Sequence, residues 1–206
     1  MPRLGLNEYE LYVFDLDGTL YDQTRLRFIM ASRLMAYYVL HPMRIKELLM
    51  LQDFRKTKDS WKGRSEESLI CAEVAKKHKV DTGTVENIVK RWIYENPLSA
   101  VAKTKRTAVT EWIEELRKNN KTVVILSDYP TEDKLKALGV VSDAQYSTTD
   151  ERIGELKPSP KGLEVILNDF AKQADAVLMI GDRDEKDGLC AQSAGVDYVN
   201  VKNLGR

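Results

Sequence analysis

Four places in this 206-residue chain gather side chains able to do chemistry. Asp15 and Asp17 end the run "YVFDLD", Ser127 and Asp128 follow "VVIL", Lys157 lies in "ELKPSP", and Asp182, Asp184 and Asp187 sit in "GDRDEKD" after "VLMI". Asp15 and Asp17 are two apart, so an extended chain sends both carboxylates to the same side. Adjacent anions repel, and bringing in Asp182 adds to the repulsion, so the cluster requires a cation. A ligand set made only of oxygen, without imidazole or thiolate, favours Mg²⁺ over zinc or copper. Ser127 offers a hydroxyl and Lys157 a positive point charge, which together suit a phosphoryl group opposite the metal. Taken singly, each feature has a plainer reading: a turn, a cap, a surface lysine, an acidic helix start. Their order, each after a strand or in a loop near one, argues for a site.

The elements that must position these residues are legible as alternating patterns. Leu11 to Phe14, Thr122 to Leu126 and Val177 to Ile180 are short apolar runs of the kind buried on both faces of a parallel sheet, with further strands expected at Ala144 to Tyr146 and Tyr198 to Val201. Between them, Val109, Trp112, Ile113 and Leu116, and then Leu163, Ile166, Leu167 and Phe170, recur at helical spacing. Ser159 is expected to cap the second of these helices with Pro160 at its first position, and the helix around Leu135 is expected to stop at Gly139. The alternation predicts an α/β fold with a doubly wound parallel sheet, in which ligands bind beyond the carboxyl ends of the strands.

Roughly a hundred residues separate the first strand from the second, where one helix would suffice. The intervening stretch reads as an inserted helical domain. Thr24 is its expected first cap, Leu26, Met30, Leu34 and Tyr37 line one face until Pro42, a second helix covers Arg44 to Phe54, a third starts at Ser65, and Val85 to Ile93 form a fourth. The predicted division is a catalytic core of residues 1–20 and 106–206 with a helical cap of residues 21–105.

Composition limits the partners. Lys plus Arg and Asp plus Glu both number 32, so no global field draws the chain to nucleic acid or anionic lipid, and a diffusible substrate is expected. Met1 to Glu10 lack a secretory pattern and Arg33 interrupts the most apolar stretch, so no membrane association and a cytoplasmic location are expected. Cys71 and Cys190 read as reduced core thiols, and His41 and His78 fall at helix ends away from every motif.

With "DLDGT", "ILS", the lysine of "LKPSP" and "GDRDEKD" in this order, the chain resembles the haloacid dehalogenase superfamily, in the branch with a small helical cap that includes phosphoglycolate phosphatases and β-phosphoglucomutases. The resemblance implies that Asp15 is a nucleophile that forms an aspartyl-phosphate and that Asp17 is the general acid and base. It implies Mg²⁺ held by the carboxylates of Asp15 and Asp182 and the backbone carbonyl of Asp17, with Asp187 in support. Ser127 and Lys157 would hold the phosphoryl oxygens. Relatives that attack carbon have no proton carrier at the position of Asp17, so the resemblance implies phosphatase activity on a small phosphorylated metabolite. A phosphomutase is the alternative, and a phosphoacceptor signalling module, with a similar acidic site, is a more distant one. The cap loop Trp61-Lys62-Gly63-Arg64-Ser65 looks similar to the loop that reads substrate in sugar-phosphate enzymes, which marks Lys62, Gly63 and Arg64 as candidate specificity residues. Asp128 stands where many relatives have asparagine and is a further candidate.

Overall fold

The computed structural model describes residues 9–61 and 64–204. Strand β1 (Leu11–Phe14) is followed by α1 (Gln23–Leu40), α2 (Lys46–Ser60), α3 (Glu67–His78), α4 (Thr82–Val89) and α5 (Asn96–Val101). Then come α6 (Thr107–Lys118), β2 (Thr122–Ser127), α7 (Glu132–Leu138), β3 (Ala144–Ser147), α8 (Lys161–Asp169), β4 (Val177–Gly181), α9 (Leu189–Ala194) and β5 (Asp197–Asn200).

All pairings in the sheet are parallel and the strand order is β3-β2-β1-β4-β5. The chain winds outward from β1 through β2 to β3, then crosses back to β4 and β5. The order therefore reverses between β1 and β4, where a crevice opens at the strand ends. The apolar runs alternate across the sheet: Tyr12, Phe14, Val123, Ile125, Leu178 and Ile180 enter one buried cluster, and Leu11, Val13, Val124, Leu126, Val177 and Met179 the other. Continuous apolar strands are what burial on both faces demands. Trp112 of α6 fixes the first face, its ring edge-on to Phe14 at 5.3 Å and to Tyr12 at 6.0 Å.

The helical insert joins the sheet through two adjacent chain segments. Tyr21 and Lys105 form an antiparallel bridge, Asp22 N–H donates to Thr104 O (2.7 Å), and Arg106 N–H donates to Leu20 O (2.8 Å). Its buried side chains, Phe54, Ile70, Val74, Val85 and Trp92 among them, are continuous with the first sheet cluster.

Several helix boundaries differ from those read in the sequence. Asp22, not Thr24, caps α1: its carboxylate accepts from the N–H of Thr24 (2.9 Å) and Arg25 (3.0 Å). Helix α2 continues six residues past Phe54 to Ser60. Helix α3 begins two residues after Ser65, because the Ser65 N–H donates to Gly154 O (2.8 Å) and its hydroxyl donates to Thr148 O, committing that residue to the opposite loop. Pro160, not Ser159, occupies the cap position of α8, although Ser159 Oγ still accepts from Lys161 N–H (3.3 Å). The last strand ends at Asn200, one residue short of Val201. Gly139 does close α7, at φ 64°.

Candidate active site

Asp15 is the first residue beyond β1, and its N–H donates to Ile180 O (2.8 Å), so the pairing with β4 carries the sheet up to the carboxylate. Thr19 Oγ donates to Asp15 Oδ2 (3.0 Å) from the next turn. Gly18 makes that turn at φ 99°, and a Cβ there would lie 2.5 Å from Asp182 Oδ2, so only glycine lets the chain pass the carboxylate. Lys157 Nζ donates to Asp15 Oδ1 (2.5 Å) and Asp187 Oδ1 (2.6 Å). Asp128 Oδ1 accepts from the N–H of Lys157 (3.1 Å), which ties the lysine loop to the end of β2.

Asp17 turns away from this set. Its Oδ1 accepts from Lys134 Nζ (2.5 Å) and from the Tyr21 hydroxyl, and its Oδ2 from Ser127 Oγ (3.3 Å). Ser127 is buried behind Asp17 and also accepts from Tyr129 N–H (3.1 Å).

The electrostatics divide the two carboxylates. Burial pushes Asp15 well above the ordinary carboxylate range; Lys157 works against this, and Asp187 and Asp17 add to it. Burial also acts upward on Asp17, but the Lys134 ammonium and the Tyr21 hydroxyl outweigh it and hold Asp17 below its ordinary value. Burial disfavours the charged form of Lys157, yet Asp15 and Asp187 overcome that and raise its pKa well above the usual value.

Carboxylate oxygens of Asp15, Asp182 and Asp187 all lie within 4.8 Å of one another. Burial raises Asp182 against the pull of Lys202, and Asp182 Oδ1 is buried without a hydrogen-bond partner among the described residues. A buried orphan oxygen beside two further carboxylates fits a hard divalent cation. The side chain of Asp17 stands outside this group. Asp15, Asp17, Asp128, Lys157, Asp182 and Asp187 all face one cavity of about 870 Å³ beneath the helical insert.

Other residues singled out in the sequence are placed elsewhere. Lys62 and Gly63 lie outside the described residues. Arg64 pairs with Glu66 (3.3 Å), accepts the Trp61 indole N–H at its carbonyl (2.8 Å), and is not among the cavity walls. Asp184 accepts from Tyr198 and Asn200, and the neighbouring Arg183 pairs with Glu185 and Asp59. His41 stacks on Tyr37 and His78 meets Asp53 at 2.7 Å. Both cysteines are free and buried.

Sequence reasoning missed Lys134 and Tyr21, the two strongest holds on Asp17. A signal for Lys134 existed: it lies four residues before buried Leu138 and so shares its face of α7.

Among the described residues, no helix is long and apolar enough to cross a membrane. The family model described as haloacid dehalogenase-like hydrolase matches residues 12–201, and no curated protein matches the chain. Among solved structures, the fold is similar to that of a 2-haloacid dehalogenase from Pseudomonas syringae pv. Tomato DC3000, with TM-score 0.66 and 18% identity over 92% of this chain and 85% of that one. It is also similar to a predicted phosphoglycolate phosphatase from Haemophilus somnus 129PT, with TM-score 0.59 and 21% identity over 95% and 86%. A HAD phosphatase from Thermococcus onnurineus gives TM-score 0.57 and 17% identity over 96% and 88%. These identities speak to fold, and the neighbours carry both dehalogenase and phosphatase names. Since the family match runs from within β1 to the residue after β5, the chain belongs to the haloacid dehalogenase-like hydrolases.

Proposed function

We propose that this hydrolase is a Mg²⁺-dependent phosphatase that releases phosphate from a small phosphorylated metabolite through an aspartyl-phosphate. The observation that carries the reading is Asp17, a carboxylate two residues beyond the nucleophile candidate, facing the same cavity and held by Lys134, Tyr21 and Ser127. An alkoxide is a poor leaving group and needs a proton, whereas a halide leaves without one. A proton carrier in this position therefore favours ester cleavage over carbon–halogen cleavage.

In this reading Asp15, oriented by Thr19 and Lys157, attacks phosphorus while Asp17 gives its proton to the departing oxygen. Asp17 then takes a proton from water, the water oxygen attacks the same phosphorus, and phosphate leaves with Asp15 regenerated. The arriving phosphoryl anion opposes Lys134 at Asp17 and so raises its proton affinity for the acid step. Mg²⁺, held by the carboxylates of Asp15 and Asp182 and the backbone carbonyl of Asp17 with Asp187 in support, would screen the negative charge on the phosphoryl oxygens. Residues 1–20 and 106–206 serve as the catalytic core and 21–105 as the cap; the pairing of Tyr21 with Lys105 supports placing the junctions there.

The test is release of inorganic phosphate from a panel of phosphorylated metabolites and p-nitrophenyl phosphate, with Mg²⁺ or a chelator, alongside halide release from 2-chloropropionate. Metal-dependent phosphate without any halide supports the proposal; halide alone overturns it. Release that needs no bisphosphate excludes a mutase.

Two smaller effects follow from the same geometry. Mg²⁺ relieves the repulsion among Asp15, Asp182 and Asp187, so it stabilises the fold by about 2.7 kcal/mol at a hundred times its dissociation constant. That is roughly 5–10 °C in melting temperature for a chain of this size; calorimetry in EDTA and in Mg²⁺ reads it, and no shift would remove the cation from the cluster. Lys134→Met takes away the charge that lowers Asp17, so Asp17 ionises at higher pH. The acid limb of kcat against pH then moves upward by about one pH unit or more, and an unmoved limb would detach Lys134 from that role.

A further inference from the structure

On its insert side the cavity carries positive charge that the phosphoryl site does not use. Ten cationic and six anionic side chains line it, in a chain whose overall charge balances. The cations near the strand ends are spoken for: Lys157 by Asp15 and Asp187, Lys134 by Asp17, and Lys186 by Asp59 at 2.8 Å. Lys58 of α2 is different. It is 3% exposed, and its Nζ has no hydrogen-bond partner among the described residues. The nearest carboxylate, Glu67, stands 3.7 Å away and is already taken by the Tyr94 hydroxyl. Burial lowers the Lys58 pKa, and Glu67 only partly opposes this.

The lysine rests instead on the face of Tyr129, 3.8 Å from the ring centroid, while Lys134 reaches the same ring at 5.1 Å. The two ammonium groups are therefore no more than about 9 Å apart. Lys134 meets Asp17, so Lys58 stands one small molecule's length from the proton carrier. Lys58 is among the residues that line the cavity, and its four-carbon stem is flexible. Arg55, one turn earlier on α2, lines the cavity too and acts on the Tyr129 hydroxyl electrostatically, opposing the upward push of burial and Asp17 on that phenol.

We propose that Lys58, backed by Arg55, recognises a second anionic group, a carboxylate or a second phosphoryl group, on the portion of the substrate that leaves. This rests on the phosphatase reading above and narrows its substrate to phosphate monoesters that carry a second anionic group across a short spacer, on the order of two to five bonded atoms. A buried amine without a hydrogen-bond partner is costly to keep, and an oxyanion from substrate can supply that hydrogen bond.

The experiment compares kcat/KM on matched pairs: 3-phosphoglycerate against glycerol 3-phosphate for the carboxylate, and propane-1,3-diol bisphosphate against its monophosphate for the phosphoryl group. Wild-type protein should prefer the more anionic member of at least one pair by roughly 10- to 100-fold, chiefly through KM, and which pair shows it tells the two anions apart. In Lys58→Met that ratio should collapse toward one, in Lys58→Arg it should largely persist, and in Arg55→Gln it should fall part way. p-Nitrophenyl phosphate on wild-type protein separates the two levels of argument. Its hydrolysis without any preference in either pair sinks the anion subsite alone, as does a preference that survives Lys58→Met. No hydrolysis of any ester sinks the phosphatase reading and this inference with it.

Discussion

Asp15→Asn loses turnover by roughly four orders of magnitude or more, while the chain remains folded. The amide keeps the shape of the carboxylate and can still accept from Lys157, but it cannot attack phosphorus. Stability should move the other way in the absence of metal. Asp15 is held well above the ordinary carboxylate range by burial, so folding favours its protonated form. The stability this group contributes is then complete below the unfolded carboxylate pKa and is lost as pH rises through the folded one. Asparagine imitates the neutral form at every pH. The melting temperature of the variant in EDTA should therefore gain on wild type as pH rises through that window, and Mg²⁺ should reverse the order by stabilising wild type alone. Phosphate release and paired melts in EDTA and Mg²⁺ check both halves. Activity within tenfold of wild type would show that another group attacks.

The strand ends were legible because burial on both faces leaves only one kind of sequence, a short apolar run, and a carboxylate after such a run stands out. Asp15 and Asp182 follow β1 and β4 in that way, Ser127 is the polar residue that closes β2, and parallel pairing at a switch point brings Asp15 and Asp182 together. Caps were less legible. Asp22 and Thr24 are both good caps, and only the turn geometry decides that Asp22 takes α1. Lys58 and Lys134 were hidden for a different reason. A lysine on a polar helix is nearly always solvated, and α2 carries Lys46, Lys56 and Lys58 with nothing local to mark one as buried. Its burial comes from Tyr129, 71 positions away in sequence and brought near only by packing. The loop of Lys62, Gly63 and Arg64 attracted notice because it is glycine-bearing and basic, yet the buried cation of that region stands one turn earlier, on the helix itself.

Asp17→Asn should lower the steady-state rate on alkyl phosphates by about 10²- to 10⁴-fold, and its effect should depend on the leaving group in a way Asp15→Asn cannot. With p-nitrophenyl phosphate the departing phenolate hardly needs a proton, so Asp15 still attacks at an appreciable rate. The second half still needs a base to activate water, and none remains. The phosphorylated enzyme should then accumulate, giving a burst of nitrophenolate close to one per active site followed by slow turnover. The substitution also leaves the Lys134 ammonium buried without its carboxylate, a loss of about 3–5 kcal/mol in stability that could be mistaken for lost chemistry. The double variant Asp17→Asn with Lys134→Met removes the stranded charge and should recover most of the melting temperature while keeping the burst and the low rate. A rate that recovers with stability would reduce Asp17 to a structural partner of Lys134. An alkyl phosphate rate unchanged in Asp17→Asn would take away the proton carrier, and with it the feature that favours phosphate esters over halides in this cavity.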